Sequence, residues 1–192
     1  MSGYIWAMMA RNHIPFAMSS WWLVAIATGQ PIEVQSTMTA AIGGLLPDLD
    51  HPESALGRRF LLISVPLASI FGHRGFTHSL LAVTLLLGLL IAIMMLPGYG
   101  YWAWLVAPLI IGYLSHILGD SMTPSGVPLF WPKKRSYSFN FFKTWSWQES
   151  AFVGVITLGM LTVGGVANQV FNDALGQMPG GYVVNQLAQR VF

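Results

Sequence analysis

The sequence predicts an all-α protein: a polytopic membrane helix bundle of about five transmembrane helices, with one short re-entrant or interfacial helix beside them. Three observations carry that expectation. Only 8% of the 192 residues are charged and 54% are hydrophobic, whereas soluble proteins carry roughly 25% charged residues. The uncharged run Phe76 to Leu96 is long enough to cross a hydrocarbon core roughly 30 Å thick as a helix. Basic residues are also unevenly placed. Arg58, Arg59 and Arg74 precede that run and Lys133, Lys134, Arg135 and Lys143 follow the next, while the turn between the two runs has no Lys or Arg. That bias puts the basic loops on the cytoplasmic side.

Residues 1–12 lack the pattern of a removable signal peptide. His13 opens the first apolar run, Ile14 to Gly29, and Gly29-Gln30-Pro31 breaks it. Ile32 to Leu46 begins polar and turns apolar before Gly43-Gly44 and Pro47, which suits a helix packed inside a bundle. Phe60 to Phe71, interrupted by Pro66, is too short to span and is the expected re-entrant or interfacial piece. After Phe76 to Leu96 comes the turn Pro97 to Gly100, then a span from Tyr101 to about Leu118. Residues 121–150 read as a long loop, Ala151 to Asn168 as a last span, and 169–192 as a tail able to form an amphipathic helix on the membrane. One domain, 1–192, is expected, with its motifs concentrated in about 40–132.

With no cysteine, disulfides and thiolate metal sites are excluded. A net charge of +2 gives no argument for nucleic acid as a partner. If the first two apolar segments form a hairpin, all five histidines fall with Asp48, Asp50 and Asp120 on one side of the membrane. His116 and Asp120, four apart on a helix, share a face and can grip one ion, or form a terminal capping pair. Asp48, Asp50 and His51 lie within one turn after Pro47, where an Asx turn is the plainer alternative. His78 sits inside an apolar run with Thr77 and Ser79 as candidate supporting groups. His73 and Arg74 precede it, and Arg74 suits phosphate recognition. For Arg58 and Arg59 a topological role is the simpler reading. The candidate ligands are thus His13, Asp48, Asp50, His51, His73, His78, His116 and Asp120. A zinc site uses about three or four protein ligands, so this set suggests two or three ions. Histidine and carboxylate donors without cysteine suit Zn, Mn or Fe.

Three stretches, Leu45 to Pro52, Gly72 to Leu81 and Gly112 to Asp120, followed by Thr123-Pro124 and Gly126-Val127-Pro128, resemble the YdjM family. These are bacterial inner-membrane proteins described as metal-dependent hydrolases, under LexA control in some members. The family's early histidine corresponds to His13, here set in Arg-Asn-His-Ile-Pro, and the C-terminal third shows little resemblance. More distantly, the ligand order is similar to that of zinc-dependent phospholipase C and related nucleases, which implies phosphoester hydrolysis. The expectation is a membrane-bound hydrolase using zinc, or alternatively Mn or Fe. It acts on a lipid or lipid-linked phosphate from the cytoplasmic face of the inner membrane, with Arg74, Asp50 and His78 closest to the chemistry. A non-catalytic metal-binding transporter or scaffold is the alternative. Oligomeric state is not legible.

Overall fold

The computed structural model describes residues 10–72, 74–133, 135–143, 146–162 and 165–177. Seven α-helices run through them: α1 (Ala10–Thr28), α2 (Val34–Gly43), α3 (Leu61–Phe71), α4 (Leu80–Met94), α5 (Val106–Ser121), α6 (Trp147–Thr162) and α7 (Val166–Gln177). Short 3-10 turns cover Pro47–Asp50, Gly57–Arg59, Phe76–His78 and Gly100–Leu105. Among the described residues there is no strand, only an isolated antiparallel bridge between Val127 and Tyr137. The all-α expectation therefore stands.

α5 is the pivot, packed by α1, α2 and α4, while α6 lies against α1. Two apolar clusters form around it. One gathers Trp21, Trp22, Ala25, Ile32 and Ala40; the other gathers Ala82, Val83, Ile110, Tyr113 and Ile117. The polar start of α2 is explained by its partners. Trp21 and Trp22 donate their indole N–H groups to Ser36 Oγ (3.1 Å) and Thr37 Oγ1 (3.0 Å), so both hydroxyls are satisfied in a buried seam. Glu33 and Ser36 form a capping box, and Asp173 of α7 accepts the Val34 N–H at 2.6 Å.

Close approach of α2 to its neighbours depends on missing side chains. A Cβ at Gly112 would run into the Ala40 carbonyl, and one at Gly43 into the Leu109 carbonyl. At Gly44 a Cβ would meet the Ala17 methyl. Glycine at these three places lets α1, α2 and α5 come together just where His13, Gly44 and His116 lie.

Helix boundaries differ from the sequence reading in instructive ways. The run from Phe76 is not helical at once: Phe76–His78 wind as a 3-10 turn, Ser79 caps α4 by accepting the Ala82 N–H at 3.2 Å, and the helix starts at Leu80. α6 begins at Trp147, inside the expected loop, and Gly165, at φ +63, separates it from α7. Residues 178–192 of the expected tail lie outside the described residues. By length and composition, one helical unit among the described residues, Gly100–Ser121, is long and apolar enough to cross a membrane; α3 and α4 are apolar but shorter. Their outward faces are strongly apolar all the same, with Leu62, Ile70, Leu85 and Leu89 exposed.

Candidate metal centre

Three short structures deliver the polar groups. Pro47 opens the 3-10 turn Pro47–Asp50 at its first position, which turns Asp48 and Asp50 inward, and Ser54 pins the turn by donating to the Asp48 carbonyl at 2.7 Å. The turn Phe76–His78 buries Thr77 and His78, and Tyr113 of α5 anchors it by donating to the Thr77 carbonyl at 2.6 Å. α5 supplies His116 and Asp120 one turn apart on its inner face, and α1 supplies His13 near its start. His13, Asp50, His78, His116 and Asp120 are all completely buried.

Proton positions follow from the partners. His116 Nδ1 lies 2.7 Å from the Gly44 carbonyl, which can only accept, so Nδ1 carries the hydrogen and Nε2 keeps its lone pair. Thr77 donates its hydroxyl hydrogen to Asp50 Oδ2, leaving its oxygen to accept from His78 Nδ1 at 3.0 Å. Asp50 Oδ2 also stands 3.5 Å from that nitrogen. His78 Nδ1 is therefore the protonated position too. The two Nε2 atoms face each other at 3.2 Å, and in neutral rings both present lone pairs. Such a pair is repulsive without a cation between them.

Carboxylates surround the same point. Asp120 Oδ2 is 3.6 Å from His78 Nε2 and 3.8 Å from His116 Nε2. Asp48 Oδ1 is 4.0 and 3.7 Å from the same two atoms. Ligands about 2.05 Å from a tetrahedral zinc are separated by about 3.3 Å, so these spacings fit an ion with modest contraction. Two groups of donors are close enough to share an ion: His78, His116 and Asp120, and His13, Asp48 and His116. His13 stacks on His116 with centroids 3.7 Å apart. Neither buried nitrogen of His13 has a hydrogen-bond partner, although Nε2 stands 3.4 Å from Asp120 Oδ1. A buried imidazole in that condition lacks the partner a metal ion provides. Asp120 thus turns one oxygen to His13 and the other to His78, His116 and Arg74.

Other expected ligands take different places. Asp50 faces the Nδ1 side of His78 and accepts the Arg74 backbone N–H at 3.1 Å, so it is in neither group. His51 is half-buried with Nδ1 accepting the Glu53 N–H at 3.1 Å, and it too is in neither group. His73 lies outside the described residues. Arg74, at φ +60, reaches over the site and donates from Nη2 to Asp120 Oδ2 at 2.8 Å and from Nη1 to Ser125 Oγ. Arg58 is turned toward its own loop, donating to the Ser54 carbonyl.

The sequence reading missed a buried pair beside the centre. Asn12, next to His13, donates to the fully buried Glu149 carboxylate at 2.6 Å, tying α1 to the start of α6. The available signal was a single acid at the head of an apolar run.

A helical protein with apolar outer helices and a buried His/Asp cluster able to hold a metal ion is, as a class, a membrane-associated metal-binding candidate. The model of the family described as "YdjM inner membrane protein" matches residues 8–183, and the chain belongs to that family. It is 43% identical over 130 residues to inner membrane protein YdjM of Escherichia coli K12 and to its Shigella flexneri counterpart. Those alignments cover 65% of this chain and 66% of each relative, so the chain spans just under two thirds of their length. A Bacillus subtilis protein named uncharacterized protein YvsG is 32% identical over 153 residues, which is 79% of this chain and 91% of that one. No solved structure matches.

Proposed function

We propose that this chain is a multi-pass inner-membrane hydrolase, dependent on divalent metal, that cleaves the phosphoester of a lipid or lipid-linked phosphate from the cytoplasmic side. The observation that carries the reading is the pair of imidazole Nε2 atoms held face to face at 3.2 Å between two carboxylates. When bound there, zinc, or Mn or Fe in its place, supplies Lewis acidity and lowers the pKa of a water for attack at phosphorus.

The chain's own groups do the rest. His13, Asp48, His78, His116 and Asp120 hold the ion or ions; the two donor groups share His116, whose one free nitrogen serves a single ion, so a second ion draws on His13 and the carboxylates. The Gly44 carbonyl fixes His116 with Nε2 inward, and Asp50 and Thr77 do the same for His78. Arg74 carries the charge that complements a phosphoryl group. The apolar surfaces of α3 and α4 favour a substrate presented by the bilayer over one in solution.

Complete burial of the cluster favours a second reading, a metal-stabilised membrane scaffold, because structural sites are closed. One experiment separates the two. Purified protein is analysed for metal and incubated with phosphatidic acid, other phospholipids and isoprenoid phosphates in the presence of Zn²⁺ or Mn²⁺. The hydrolase reading expects bound metal and released product, both lost in the double variant His116→Ala with Asp120→Ala. Bound metal with no product from any substrate, together with a large fall in Tm on chelation, selects the scaffold.

A further inference from the structure

Arg74 is the internal cation of the site, and its contacts are unbalanced. Nη2 donates to Asp120 Oδ2, the same oxygen that faces His78 and His116 in the donor group. Nη1 is tethered to Ser125. Nε, on the same edge of the guanidinium as Nη2, is buried with no hydrogen-bond partner. That edge is the one arginine uses to grip two oxygens of an oxyanion at once. Here half of it is spent on a single carboxylate oxygen and half is unused. A buried donor without an acceptor is costly, so the arrangement is poised to be exchanged for a better one.

We propose that Arg74 and a divalent ion compete for Asp120, and that metal uptake releases the guanidinium to become a two-point site for a phosphate-type oxyanion. The proposal rests on the hydrolase reading for its choice of anion. It assigns Arg74 two alternative partners: Asp120, and the anion once an ion has claimed Asp120. The tether to Ser125 keeps the guanidinium at the rim while it changes partners. The main-chain position of Arg74 is held independently through the hydrogen bond from its N–H to Asp50, so the exchange is a side-chain movement.

The test is calorimetric binding of Zn²⁺ to purified, chelator-stripped full-length protein in detergent, first alone and then with inorganic phosphate. If Arg74 competes, Arg74→Gln binds Zn²⁺ more tightly than wild type, within the about 5- to 150-fold typical of coupled sites. Phosphate binding to the zinc-loaded variant becomes weaker than in wild type. Arg74→Lys keeps the charge beside Asp120 and stays near wild type for Zn²⁺, but loses the two-point edge and binds phosphate weakly. Ser125→Ala removes the tether together with a contact to Thr123 Oγ1, so the guanidinium is held less firmly over Asp120; it tightens Zn²⁺ by a smaller factor and provides the measurement should Arg74→Gln fail to fold. Unchanged or weaker Zn²⁺ binding in Arg74→Gln, or in Ser125→Ala as its substitute, overturns the proposal. That result leaves the hydrolase reading standing, whereas tighter zinc binding in a protein that cleaves no lipid phosphate removes the hydrolase reading alone. Wild-type protein that takes up no Zn²⁺ overturns both.

Discussion

His116 shows how one hydrogen bond decides what a side chain can do. With Nδ1 committed to the Gly44 carbonyl, the ring has a single lone pair to offer, and it points at His78 and Asp120. The i, i+4 spacing of His116 and Asp120 was legible in the sequence because a helix fixes it. The division of labour between Asp48 and Asp50 was not, since it depends on which side of a 3-10 turn meets which face of His78. Asp50→Asn tests that division. It keeps the shape but removes the charge behind Nδ1, and Zn²⁺ affinity should fall by about 10- to 100-fold, as for other outer-shell partners. His51→Ala, lying in neither donor group, should leave it unchanged. Competition against a chromophoric chelator measures both.

At the scale of elements, the centre exists because helices without side chains at the contact approach closely. The Gly43-Gly44 pair was visible in the sequence as a site for close packing, and the structure adds Gly112 as its counterpart on α5. Gly112→Ala forces a methyl against the Ala40 carbonyl in a seam with no room for it. Overpacking of that kind costs about 1 to 3 kcal/mol, so Tm should fall in a thermal melt followed by intrinsic tryptophan fluorescence. Separation of α2 from α5 also draws Gly44 away from His116, and metal affinity should fall with stability. Helix starts were less legible than helix existence. Phe76 to His78 are apolar enough to extend α4, but Asp50 and Tyr113 claim Thr77 and hold the segment as a turn. Ser79, a good N-cap, is where the helix starts, whereas the sequence reading took it only as a supporting group for His78.

For the whole molecule, the composition gave the helical class directly and the number of crossings only by inference. One unit passes on length and composition, while several others are short and lean on neighbours. The proposed orientation, with basic loops and site on the cytoplasmic side, makes a direct prediction. Reporter fusions at Gly98 and Gly126 should report opposite compartments, because the helical unit Gly100–Ser121 lies between them. A shared compartment removes the crossing and with it the argument that places the centre at the inner leaflet.

The complete enclosure of His13, His78, His116 and Asp120 also carries a kinetic corollary. Asp48 is the one proposed ligand that keeps a little surface, so an ion comes and goes past its edge, and its residence lengthens with the rarity of opening in the helices behind it.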